Sequence, residues 1–151
     1  MRLLRLTLFL LLSTFASTSI YAQADATKWT FEAKKKNDTQ YELIFHLKLK
    51  DGYHAWSQKP GGDGTLIPTS FAFDKNSLVK LIGTPQEHGK LITQTIDGID
   101  GSVHFYKNEV KFVQLAEVKK GTTITGKYTF QVCNDIMCLA PKTEKFVFKI
   151  K

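Results

Sequence analysis

Cysteine is nearly absent from these 151 residues: there are two, at positions 133 and 138. That excludes a disulfide-dense scaffold, in which several bridges replace a core. Histidine is almost as scarce. None of His46, His54, His88 and His104 stands in paired spacing with another, so half of a zinc site at the cysteines has nothing to complete it. No histidine follows His104, which removes the ligand a blue-copper site needs beyond its last cysteine. No metal and no other cofactor is expected. Beyond the first residues no apolar run approaches the ~20 that cross a bilayer, so stable membrane insertion is not expected. Helical periodicity, internal repeats and low-complexity tracts are missing too. Gly61-Gly62-Asp63-Gly64 lacks the Lys-Ser or Lys-Thr of a phosphate loop. Asp97-Gly98-Ile99-Asp100-Gly101 lacks the downstream glutamate of a calcium loop. Both read as turns, and residues 57–66, long and glycine-rich for a hairpin connection, read as a rim element.

What is present begins with an export signal. Arg2 and Arg5 precede an almost unbroken apolar run over residues 6–12, and both Ala22 and Ala24 end small-residue cleavage sequences. Residues 1–22 therefore read as a signal peptide, cleaved after Ala22 or, as second choice, Ala24, leaving residues 23–151 as one exported domain. Removal of Arg2 and Arg5 with no acid leaves 19 basic against 14 acidic side chains, a formal charge of +5. The lysines are scattered along strand-like segments, as on a solvated outer face, and no groove-reading motif accompanies them; no nucleic-acid partner is expected.

The exported part reads as strands throughout. Tyr41, Leu43, Phe45, Leu47 and Leu49 alternate with polar or charged Glu42, His46, Lys48 and Lys50, the period-two signature of a strand with one buried face, and Asp51-Gly52 supplies a turn. Further strands are expected over residues 29–34, 69–73, 78–82, 90–96, 102–106, 109–118, 122–133 and 143–150, punctuated by glycines. Eight or nine short strands in one small domain predict an all-β, immunoglobulin-like antiparallel β-sandwich. Parity along residues 122–133 puts Ile124, Tyr128, Phe130 and Val132 on the apolar face and Cys133 on the polar one.

Cys133 and Cys138 enclose Asn-Asp-Ile-Met. In an oxidising compartment such a pair closes into a disulfide, but a loop this short contributes only about 2 kcal/mol in the chain-entropy model. If residues 134–137 form a hairpin loop, the bridge crosses a strand pair near its end. A purely structural clip in an exported binding module and a bond made to open and close both fit this spacing.

A wider pattern favours the second. The run from Tyr128 through Gln131-Val132-Cys133-Asn134-Asp135-Ile136-Met137-Cys138-Leu139-Ala140-Pro141, together with Asp51-Gly52-Tyr53-His54-Ala55-Trp56-Ser57-Gln58 and Pro68-Thr69-Ser70-Phe71, resembles the N-terminal periplasmic domain of the thiol:disulfide interchange reductase DsbD. The resemblance implies a periplasmic immunoglobulin-like domain whose cysteines accept electrons from a membrane-linked thioredoxin-like domain and reduce oxidised periplasmic client proteins. It further implies that Cys138 forms the mixed disulfide with partners, that Asp97, Gly98, Ile99, Asp100 and Gly101 form a cap loop, and that Tyr53, His54 and Trp56 lie close to the pair. Two features depart from the pattern: the spacer has four residues where better-known members have five, and Ile99 stands where they have an aromatic cap residue. The 151 residues contain neither transmembrane channel nor thioredoxin-like domain, so a reductase is expected to act in trans. With Asp135 beside them and no helix N-terminus, the thiols lack a strong activator, which suits a redox carrier better than a self-sufficient enzyme.

Overall fold

Residues 26–151 are described by the computed structural model. The export signal and both cleavage positions lie outside them. Among the described residues every regular element is a strand: β1 (Thr27–Lys35), β2 (Gln40–Leu49), β3 (His54–Gly61), β4 (Ser70–Phe73), β5 (Val79–Ile96), β6 (Ile99–Val118), β7 (Thr123–Phe130), β8 (Val132–Cys133) and β9 (Lys142–Lys149). All pairings are antiparallel. One sheet has the order β1-β2-β6-β3-β8 with β5 also paired to β6, and the second has the order β4-β7-β9.

The alternation over residues 41–49 behaves as its period requires: Tyr41, Leu43, Phe45 and Leu47 are all buried. They meet Phe112 of β6 and, from the second sheet, Ile124, Tyr128, Phe130, Phe146 and Phe148 in one large core. Its centre is aromatic. Phe45 lies edge-on to Phe146 at 4.9 Å and to Phe148 at 5.1 Å, and Trp29 of β1 bridges to Tyr128 and Phe130 at 4.7 and 5.2 Å. Such contacts add to the area term that drives burial. Gly126 is required here, because a Cβ would stand 2.2 Å from the Ala72 carbonyl oxygen.

Four expectations are corrected. Residues 78–82 and 90–96 are one strand, β5, since Gly83 and Gly89 accompany bulges instead of ending pairing. Residues 102–106 and 109–118 are likewise one strand, β6, whose β3 pairing ends at Lys107 and whose β2 pairing starts at Glu109. Between them Asn108 takes φ of 64°, a left-handed conformation that asparagine tolerates better than most residues. Residues 57–61, expected in a rim connection, belong to β3, whose first half shows no alternation because His54, Ala55, Trp56 and Ser57 are all buried. Finally, β7 ends at Phe130, and after Gln131 the chain crosses to the other sheet and pairs with β3. Parity counted from β7 therefore fails at Cys133, which is buried and not on a polar face.

Candidate functional site

Two residues of β8 hold the first cysteine. Val132 pairs with Ala55 and Cys133 with His54 across β3. The chain then turns over residues 134–137: the Asn134 Oδ1 accepts from the Ile136 and Met137 amides at 2.9 and 2.8 Å, and the Asn134 amide donates to the Met137 carbonyl at 2.9 Å. The Leu139 amide donates to the Val132 carbonyl at 2.9 Å, so Cys138 falls opposite Cys133 between two backbone hydrogen bonds. This is the close-approach position of an antiparallel pair, and the Cα atoms are 3.9 Å apart. The two sulfurs are bonded to one another, across the strand pair as the spacing suggested.

The cysteines differ in their surroundings. Cys133 is 2% exposed, in a small cluster with Trp56, Val103 and Phe105. Cys138 is exposed. Beside it Ile136 is 91% exposed, an apolar side chain held in water at the tip of the turn, and Met137 is exposed as well. Leu66, Ile92, Ile96 and Ile99 pack against the small cluster from above.

Ile96 and Ile99 face each other across the Asp97-Gly98 turn that joins β5 to β6. Of residues 97–101, Ile99 alone reaches the cluster that contains Cys133; Asp97, Gly98, Asp100 and Gly101 are exposed. Close approach is secured by Gly62, at φ of 70°, where a Cβ would stand 2.9 Å from the Ile99 Cγ2. His54 and Trp56 adjoin the pair. Tyr53 packs against the large core instead.

Sequence reasoning did not find the residues that build the floor. Val103 and Phe105 of β6 lie opposite Gly61 and Trp56 of β3, and only the long-range pairing brings them to Cys133. Two polar ties hold β3 in place. Thr69 Oγ1 donates to the Trp56 carbonyl at 2.6 Å, and the Glu87 carboxylate accepts from Ser57 Oγ at 2.8 Å, from the Gln58 amide at 2.6 Å and from the Tyr106 hydroxyl at 3.0 Å. Burial and this carboxylate together push the Tyr106 hydroxyl well above its ordinary pKa.

His54 is 7% exposed and neither ring nitrogen has a hydrogen-bond partner; the Trp56 indole nitrogen is also buried without one. Burial lowers the His54 pKa, Lys107 lowers it further, and Asp135 opposes both. Among the described residues no group of three or more His, Cys, Asp or Glu side chains is placed to hold a metal ion, and no helix is long and apolar enough to cross a membrane.

The class of domain defined by fold and site is an immunoglobulin-like sandwich with a cross-strand cysteine pair, buried at Cys133 and exposed at Cys138. The particular family follows from the sequence match: the family described as thiol:disulfide interchange protein DsbD, N-terminal, matches residues 19–150, and the chain belongs to it. The N-terminal periplasmic domain of ScsB from Proteus mirabilis superposes with a TM-score of 0.64 at 15% identity, over 89% of this chain and 49% of that one. This chain thus spans about half the length of that structure. The Neisseria meningitidis DsbD N-terminal domain in the reduced form gives 0.55 at 16% identity, over 80% of this chain and 84% of that one. At these identities the likeness is one of fold. No curated protein matches significantly.

Proposed function

We propose that this domain is a periplasmic carrier of reducing equivalents, exported by residues 1–22 with cleavage after Ala22 or Ala24. It accepts electrons from a membrane-linked thioredoxin-like reductase domain in trans and reduces oxidised periplasmic client proteins through Cys133 and Cys138. The observation that carries the reading is the unequal exposure of the two sulfur-bearing residues, buried at Cys133 and open at Cys138, in a sandwich whose large core contains neither of them.

In uptake, the reductase thiolate attacks the Cys138 Sγ. A mixed disulfide forms, the Cys133–Cys138 bond breaks, and Cys133 departs as a thiolate that takes a proton. The second thiolate of the reductase then attacks its own first sulfur and releases Cys138, so the reductase ends oxidised and this domain ends as a dithiol. In delivery, the Cys138 thiolate attacks a client disulfide and one client sulfur leaves. Cys133 then attacks the Cys138 Sγ, closing the bridge and releasing the second client sulfur; two electrons have passed to the client. Accessibility decides which sulfur is attacked, and that selects Cys138. Ile136 and Met137 provide apolar contact for either partner beside it. The turn formed by residues 97–101, with Ile99 against the small cluster, acts as the cap of the resting pair.

Equilibration with a thioredoxin-like redox couple tests the carrier. It predicts a two-electron potential above about −300 mV, within reach of thioredoxin-like proteins, whereas structural bridges usually lie below that value. A lower potential would return the pair to the status of a clip in a binding module.

A further inference from the structure

The backbone places four side chains, a lysine, a histidine and the two cysteines, in one row across the sheet. Lys107 of β6 is the direct partner of His54 of β3, His54 is the direct partner of Cys133 of β8, and Cys133 is the direct partner of Cys138. Directly opposed residues of antiparallel strands share a face with their Cβ atoms about 5 Å apart, so the row sets the imidazole beside the buried sulfur and on the side away from the exposed one. The ring is fixed by its neighbours, edge-on to Trp56 at 5.0 Å and tilted over Phe105 at 4.5 Å.

A buried imidazole with two unpartnered nitrogens is costly, and groups of this kind call for an explanation in function. Cys133 supplies one. As a disulfide its sulfur has no proton to give and carries no charge. As a thiol or thiolate in the same apolar cluster it needs a hydrogen-bonding neighbour, because burial disfavours the charged form.

We propose that His54 is the proton-holding group for Cys133: it takes the thiol proton as Cys133 closes the bridge and returns one to the Cys133 thiolate as the bridge opens. In closure the S–H bond breaks, the proton moves to an imidazole nitrogen, the sulfur electron pair forms the bond to Cys138 Sγ, and the mixed-disulfide bond breaks with its electron pair leaving on the departing thiolate. The imidazolium then passes its proton to solvent or to that departing thiolate. The charged groups facing His54 are Lys107 from β6 and Asp135 from the turn after β8, and they act in opposite directions. Lys107 and burial together keep the ring neutral at rest, the form that can accept a proton. The inference rests on the carrier reading insofar as the pair must open and close.

The test uses the full exported domain as a dithiol, with glutathione disulfide as oxidant, quenched in acid and followed by mass spectrometry. This resolves attack by Cys138, seen as the glutathione adduct, from closure by Cys133. His54→Phe keeps an aromatic ring and removes both nitrogens. The expected result is closure slowed by at least about tenfold with the adduct accumulating, attack changed by less than about threefold, and loss of the closure inflection below pH 6.5 that His54 gives the unsubstituted protein. Equal closure rates and pH profiles in the two proteins would overturn the role of His54 alone. A pair that dithiothreitol cannot open would overturn this role and the carrier function together. Should His54→Phe not fold, nitrogen-15 NMR of the unsubstituted protein decides: the His54 ring signals move between disulfide and dithiol if the nitrogens gain a sulfur partner, and unchanged signals would overturn the proposal.

Discussion

The sandwich contains two apolar clusters of opposite character. The larger, between the sheets, draws on all nine strands, Ala55 of β3 and Val132 of β8 included, and is centred on interlocked phenylalanines and tyrosines. The smaller holds only Trp56, Val103, Phe105 and Cys133 as fully buried members, under a cover of half-buried aliphatic side chains. Polar groups at the edge of the large core are mostly paired: the Tyr128 hydroxyl donates to Glu144, and the Trp29 indole nitrogen is the exception. Beside the small cluster three ring nitrogens, on His54 and Trp56, have no partner. The difference separates the main store of apolar packing from the surroundings of the bridge. Neither cysteine belongs to the larger cluster, although Val132 and Leu139 beside them do, so under the proposed function the bridge is expected to open without dissolving the sandwich.

The comparison breaks most visibly in the large core. Phe45→Ala removes a ring in contact with Phe31, Phe71, Phe73, Phe146 and Phe148, and is expected to destabilise the domain by about 3–5 kcal/mol in chemical denaturation. While that variant stays folded, alkylation of its reduced cysteines should proceed at the original rate. A changed rate would couple the two clusters. Opening the bridge comes next: reduction should lower stability by about 2 kcal/mol with the strand signal of circular dichroism retained. Unfolding on reduction would show that the small cluster carries the fold.

A smaller effect follows from His54. Its folded-state pKa is lowered, so below pH 6.5 the unfolded chain binds a proton that the folded domain resists. Its contribution is full above the unfolded pKa and is lost as pH falls towards the folded one. The melting temperature of the oxidised protein should therefore fall between pH 7 and pH 5.5, and fall less in His54→Phe; parallel declines would place the pH dependence elsewhere. The smallest change in stability belongs to Ile99→Gly. It should leave the melting temperature nearly unchanged while speeding alkylation of the dithiol severalfold, since access governs such rates. Unaltered kinetics would mean that residues 97–101 do not shield the pair.

Strand content was legible wherever one face of a strand is buried. Residues 41–49 announced themselves by alternation, and their buried set is the one expected. β3 was hidden because four successive residues are buried and Pro60 and Gly61 close the strand, so neither period nor composition marks it. Gly83 looked like a strand end in sequence, whereas the chain uses its left-handed φ of 65° at a bulge and continues pairing. The bridge across a turn was readable from the spacing of the cysteines. Which cysteine is buried was not, because the answer depends on β8 leaving the sheet of β7 for a place beside β3, a long-range choice with no local signature.

That unequal burial is the centre of the account, and single-cysteine trapping tests it most directly. Cys133→Ser and Cys138→Ser variants are each mixed with a thioredoxin-like domain that lacks its resolving cysteine and carries an aromatic thiol on the remaining one, and adducts are followed by non-reducing gel and mass spectrometry. The account predicts ready accumulation of the mixed disulfide through Cys138 in the Cys133→Ser protein, and trapping at least about tenfold slower through the buried Cys133 in the Cys138→Ser protein. Equal trapping by the two variants would contradict the division of roles, and trapping by neither would contradict the carrier itself.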